Sequence, residues 1–278
     1  MSTNIPFERE LRLPTPRRSS LGLRVAIVAL VLVFLIAPAV ATRLADWLWY
    51  RDVGFERVFL TMIVAQWVLG LAAGISGFAI LYVNARIALR GVPRRNLHIR
   101  DASSWAQQGP RELAERLAAW IVLPATILLG VVLAVASAGK WRELAQFFYR
   151  TPFGVTDPVF GRDVGYYVFT IPMMESLLTF ASAVGWLALL SAIVLYIART
   201  DIGAVLGERQ GAWRFFITPR AQMHLAVVGA SLLGVTALRV AFVDLPSLLL
   251  ARRPVLFGAT YTDLKLRIPL YGVMAVLL

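Results

Sequence analysis

Cysteine is missing from this 278-residue chain, and histidine occurs only twice, at His98 and His224. The first absence excludes disulfides, thiolate metal sites and cysteine nucleophiles. The second leaves no His-based metal site, because the two histidines fall in different segments and neither has a His or Glu partner at ligand spacing. Charge is also scarce. Asp, Glu, Lys and Arg make up 16% of residues and apolar types 59%, against about 25% and about 45–50% in soluble domains. A phosphate-binding Gly-rich loop ending in Lys-Ser/Thr, a Gly-x-Ser-x-Gly elbow and a His-Glu-x-x-His pair are absent as well. The sequence therefore carries no catalytic motif and implies no cofactor, and a non-enzymatic role is favoured.

What the chain does have is five long uncharged runs: 18 residues from Val25 to Thr42, 28 from Val58 to Ala85, 23 from Leu117 to Gly139, 23 from Ser176 to Ala198 and 18 from Ala221 to Leu238. A bilayer core of about 30 Å is crossed by roughly 20 helical residues at about 1.5 Å each. A helix is the structure that satisfies its own backbone within one segment in lipid. The fold class is therefore all-α, a polytopic membrane bundle with helices expected at about 25–45, 59–85, 117–139, 176–198 and 221–243. A sixth run, 268–278, would reach only about 16 Å at that rise. It is expected to be an incomplete sixth helix, with the chain a portion of a longer protein. Residues 1–24 form a basic arm ahead of the first helix.

The net charge of +12 would suggest nucleic acid in a soluble protein, but its distribution points to membrane lipids instead. Lys and Arg of the N-terminal arm and of the second and fourth connections number sixteen, against eleven in the first, third and fifth, with Arg239 inside the fifth run. Positive residues collect on the cytoplasmic side, so a multi-pass protein of the cell membrane with a cytoplasmic N terminus is expected. Anionic headgroups attract such basic segments at about 1 kcal/mol per residue, which accounts for the charge without any nucleic acid.

Aromatic residues mark the span ends as an interfacial belt: Trp47, Trp49 and Tyr50 after the first, Trp120 opening the third, and Trp141, Phe147, Phe148 and Tyr149 after it. Lys140 to Arg150 reads as a short amphipathic helix on the outer leaflet, and Arg209 to Arg220 as a similar inner segment. Ala39-Val40-Ala41 fits a signal-peptidase site, yet the 24-residue arm and the long apolar run favour a retained helix over a cleaved signal. Pro38 and Pro124 are expected to kink the first and third helices. Small residues recur four apart at Gly70/Gly74, Ala73/Gly77, Gly130/Ala134 and Ala226/Ala230/Gly234, a pattern for close helix packing within the bundle rather than a dimer face. Polar groups inside the spans are few: Gln66, Asn84, Ser182, Ser191, His224 and Arg239. Arg239 is the candidate intramembrane charge; snorkelling or pairing with Asp244 is favoured over an ion pathway, so that a lysine would serve equally.

The third connection, FYRTPFGVTDPVFGRDVGYYVFTIPM from Phe148 to Met173, joins turn formers to seven Phe or Tyr residues. Asp157 and Asp163 could form an acid/base or cation pair, but their six-residue spacing matches no calcium loop and favours turn and capping roles. This stretch, together with DWLWYRDVGFERVF (Asp46 to Phe59) and VLFGATYTDLKLRIP (Val255 to Pro269), resembles the bacterial multi-spanning proteins of uncharacterised protein family 0182. The resemblance implies about seven helices followed by a large extracytoplasmic C-terminal domain, of which this chain would be the N-terminal portion. It supplies no reaction or ligand.

All three motifs fall on the predicted outer face. A docking platform for that domain, or a gate under it, is expected there, built from Trp47, Trp49, Phe55, Phe153, Asp157, Phe160, Asp163, Tyr166, Tyr167, Phe257, Tyr261 and Asp263; independent, well-ordered loops are the alternative. Two functional classes follow: an anchor or scaffold for an extracytoplasmic domain in cell-envelope assembly or maintenance, and a transporter or channel subunit. The scarcity of central charges favours the first. An enzyme acting on lipid-linked substrates is a weaker third, with Asp157, Asp163 and Asp263 its outer carboxylates.

Overall fold

A computed structural model of the protein describes residues 21–90, 105–199, 219–251 and 258–277. Residues 1–20 of the N-terminal arm, the 209–218 stretch, His98 and Phe257 lie outside them, and the last four residues of the expected arm, Leu21 to Arg24, are already helical. Two compact units are distinguished, residues 1–61 and 62–278.

In the first unit, α1 (Leu21–Asp52) runs without interruption through Pro38 and through Ala39–Ala41. It ends where Gly54 takes the left-handed conformation, φ 77°. The Phe55 N–H then donates to the Tyr50 carbonyl at 2.8 Å and the Gly54 N–H to the Arg51 carbonyl at 3.1 Å. These paired bonds, with aromatic residues at both ends of the longer one, form a Schellman C-cap that satisfies the last carbonyls of α1. The chain reverses at once into α2 (Glu56–Arg90). Trp47 Nε1 donates to Glu56 at 3.3 Å, and the Tyr50 and Phe59 rings lie 5.5 Å apart across the turn. The Asp46 to Phe59 motif is thus the capped turn between α1 and α2.

The second unit contains the rest of α2, then α3 (Trp105–Ala138), α4 (Trp141–Phe148), α5 (Ile171–Arg199), α6 (Pro219–Arg239) and α7 (Ile268–Leu277). The long helices overrun the uncharged runs at their ends; α3 begins at Trp105 rather than near 117. Only the middle of a span must be apolar, while helical hydrogen bonding continues into polar sequence. Among the described residues five helices are long and apolar enough to cross a membrane: Val25–Asp52, Glu56–Arg90, Trp120–Ala138, Tyr166–Ile197 and Pro219–Leu250. At ten residues α7 is shorter than a span.

Small residues set the helix seams. A Cβ on Gly74 would lie 2.8 Å from the Ala134 Cβ and 3.0 Å from the Gly130 carbonyl, and one on Gly70 3.1 Å from the Ala134 carbonyl. α2 and α3 therefore approach almost backbone to backbone, as lipid-embedded helices do when no hydrophobic effect separates protein from solvent. Gly185 likewise makes room on α5 for Leu232 of α6. The fourth row differs: Ala226, Ala230 and Gly234 are exposed, with nothing within 4 Å of a Cβ at Gly234. Leu81, Leu133, Val184 and Ala188 form the centre of the bundle.

Among the described residues three single π-helical turns interrupt this regularity, Tyr166–Thr170 entering α5, Val240–Asp244 leaving α6 and Asp263–Arg267 entering α7. Each widened turn leaves backbone groups out of the ordinary ladder, a feature that concentrates at functional sites.

Candidate functional site

The amphipathic segment folds as α4, with Trp141, Leu144, Ala145 and Phe148 along one side and none of its residues buried. After it the chain makes a small hairpin in which Thr156 and Asp163 pair. The Asp157 N–H donates to the Arg162 carbonyl and the Val164 N–H to the Val155 carbonyl, both at 2.9 Å. Gly154 and Gly161 take φ values of 72° and 64°, which these turns require.

Two carboxylates hold the loop's shape. One Asp157 oxygen accepts the N–H groups of Val159 and Phe160 at 2.8 and 2.6 Å, and the other accepts the Arg162 N–H and the Tyr167 hydroxyl, each at 2.8 Å. Asp163 accepts from Phe153 at 3.1 Å, Gly154 at 2.8 Å and Gly165 at 2.6 Å. Partial burial pushes the Asp157 carboxyl up, but the donors on Phe160, Tyr167, Arg162 and Val159 outweigh it and hold it at about 2. The Phe153 and Gly165 N–H groups, with that of Gly154, hold Asp163 below the ordinary carboxylate range. Acids committed to four and three donors, and ionised at neutral pH, suit loop closure rather than proton transfer. Among the described residues no group of three His, Cys, Asp or Glu could hold a metal ion.

The aromatic residues couple this loop to the helices. Phe153 stacks on Phe169 at 5.9 Å, and the Arg162 guanidinium sits 4.2 Å over the Tyr166 ring. Tyr167 is buried with Ile171, Leu178 and Val243, joining the entry of α5 to the π turn after α6. Phe160 is half-buried. Phe153, Asp157, Phe160, Asp163, Tyr166 and Tyr167 thus belong to one loop-and-turn assembly.

The other expected platform residues belong to other elements. Trp47, Trp49 and Phe55 belong to the α1–α2 corner of the first unit. Tyr261 is 77% exposed, whereas Asp263 is fully buried. Asp263 accepts from the Thr260 N–H and hydroxyl, each at 2.8 Å, and from Arg267 at 3.1 Å. Its own N–H approaches the Thr260 hydroxyl at 3.4 Å, so the pair forms a capping box opening the last helix.

Arg239 uses three different nitrogens: Nη1 donates to Thr179 at 3.1 Å, Nη2 lies 3.6 Å from Glu175 and Nε 3.8 Å from Asp244. This links α5 to the end of α6 through a guanidinium fork, one arm of which is the Asp244 pairing expected from the sequence.

Sequence reasoning missed the polar network at the opposite end of the bundle. His224 Nε2 lies 3.0 Å from the Asn84 side-chain oxygen and Nδ1 2.9 Å from the Tyr196 hydroxyl. Asn84 also donates to the Ala188 carbonyl at 2.9 Å and to Ser191 at 3.2 Å. The network ties α2, α5 and α6 together. Asn84, Ser191 and His224 stand out in the sequence as polar residues inside spans, but their convergence depends on helix rotation, which a single sequence does not give.

The profile of the uncharacterised protein family UPF0182 matches residues 23–278. The chain belongs to this family. It is 31% identical over 247 residues to a UPF0182 protein of Geobacter sp. (strain M21), covering 87% of this chain and 26% of that protein. A UPF0182 protein of Pelobacter propionicus is 32% identical over 255 residues, with 90% and 28% covered, and one of Bradyrhizobium diazoefficiens 28% identical over 271 residues, with 93% and 28% covered. The chain thus spans about a quarter of the length of these curated UPF0182 relatives. No solved structure matches it.

Proposed function

We propose that this UPF0182 chain is the membrane anchor of a larger cell-envelope protein and that its loop end supports an extracytoplasmic portion of the full-length molecule. The observation that carries this reading is the third connection. Its carboxylates are spent on holding a fixed shape, while Phe153, Val155 and Val159 remain 54%, 62% and 40% exposed at the end of an apolar bundle. Ordered backbone presenting apolar side chains marks a contact surface. In this reading the protein resides in the cell membrane with a cytoplasmic N terminus, as the excess of basic residues in alternate connections favours. α7 is then the start of a sixth span.

A transport reading needs a polar route through the bundle. Between the His224 network and the Arg239 cluster lie Leu81, Leu133, Val184 and Ala188, with Leu129, Phe180, Leu187 and Val228 packed around them, which favours the anchor. The test is photo-crosslinking of the full-length protein in cells, with benzoylphenylalanine at Val155 or Val159. Crosslinks to the protein's own C-terminal portion support the anchor, and crosslinks confined to lipid contradict it.

A further inference from the structure

Arg86 and Arg90 lie one turn apart at the C-terminal end of α2. Neither has a carboxylate partner among the described residues; Arg86 rests over the face of Tyr82 at 5.8 Å. The two arginines border a hollow of about 260 Å³ formed with Tyr82, Val83 and Ile87. Val83 and Ile87 also line a second groove, of about 450 Å³, between α2 and α6, where Ile80, Val227 and Val228 extend the apolar wall. Asn84 and His224, which border the same groove, are bonded to each other and leave no unmet polar group there. The two hollows adjoin at Val83 and Ile87, which line both, and together make a track that is cationic at the helix end and apolar between α2 and α6.

We propose that this track seats one anionic phospholipid, its phosphate on Arg86 and Arg90 and an acyl chain along Ile80, Val83, Val227 and Val228. The chemistry on each side matches. Guanidinium groups bind phosphate oxygens through paired, charge-assisted hydrogen bonds. Both hollows lie on helices long and apolar enough to span a membrane, so acyl chains are the medium that meets the groove. The position at the helix end sets the phosphate at headgroup level while the chain runs toward the bilayer centre. This goes beyond the anchor reading and does not depend on it, because the site lies at the end of the bundle opposite the loop.

The test is native mass spectrometry of the purified full-length protein titrated with phosphatidylglycerol or with phosphatidylcholine of the same acyl chains. The first phosphatidylglycerol is expected to bind preferentially. Arg86→Gln with Arg90→Gln should weaken that adduct about tenfold or more, since each arginine near a headgroup contributes roughly fivefold. Arg86→Lys with Arg90→Lys should retain most of it. Val83→Trp with Val227→Trp should weaken it while keeping both charges, and glycerol phosphate, a headgroup without chains, should not compete. Equal binding of the two lipids overturns the proposal, as does undiminished binding by the glutamine or the groove-filling variant, or competition by glycerol phosphate. If the double glutamine variant does not stay monodisperse, Arg86→Gln alone should weaken the adduct roughly fivefold, and no change would again overturn the site.

Discussion

The Tyr166 hydroxyl donates to the Phe242 carbonyl at 2.8 Å, so one π-helical turn supplies the donor for a carbonyl in another. Two irregular turns, one opening α5 and one closing α6, are thereby fastened at the loop end of the bundle. Tyr166→Phe removes the donor but keeps the ring under Arg162. The expected cost is about 1 kcal/mol, the net worth of one such bond. A lower thermal midpoint of the full-length protein in detergent would register it, and an unchanged midpoint would show that the bond contributes nothing.

Asp157 gives the loop a defined acid limit. Its folded carboxyl titrates at about 2 and an unstructured one at 3.8, so its stabilisation is complete above pH about 4 and is lost as the pH falls toward 2. Pepsin cleavage within Thr151–Gly165 of the full-length protein should be slow at pH 4 and accelerate toward pH 2. Asp157→Ala leaves three N–H groups and the Tyr167 hydroxyl without their acceptor, and this variant should be cut rapidly at both values.

The close α2–α3 seam separates two glycines that look alike in sequence. Gly74→Val forces a side chain against Ala134 and the Gly130 carbonyl and should cost about 1–3 kcal/mol as overpacking does. Gly234→Ala meets nothing within 4 Å and should change stability by less than about 0.5 kcal/mol, as surface substitutions do. Denaturation of both variants in the same detergent checks the contrast; equal effects would contradict the seam.

These examples show how far the sequence is legible. The spans follow from uninterrupted apolar runs, because the length requirement in lipid is physical and strict. The turn-forming role of Asp157 follows from Asp-Pro and Gly spacing. Gly74 and Gly234 could not be told apart, since both sit in small-residue rows and only helix rotation decides which row faces a neighbour. The π turns were invisible for a related reason: Tyr166–Thr170 and Val240–Asp244 read as ordinary apolar helix, and their widening is set by contacts between elements distant in sequence. Glu175, which approaches Arg239, escaped notice because it precedes the fourth uncharged run.

The account centres on a membrane anchor whose third connection faces outward, and the cysteine-free sequence permits a direct measurement. Single cysteines replacing Ser103 and Thr156 in the full-length protein are exposed, in intact cells, to a membrane-impermeant maleimide. The account predicts labelling at position 156 and protection at position 103 until the cells are permeabilised. Labelling at 103 with protection at 156 would contradict it, placing the loop and everything it supports in the cytoplasm.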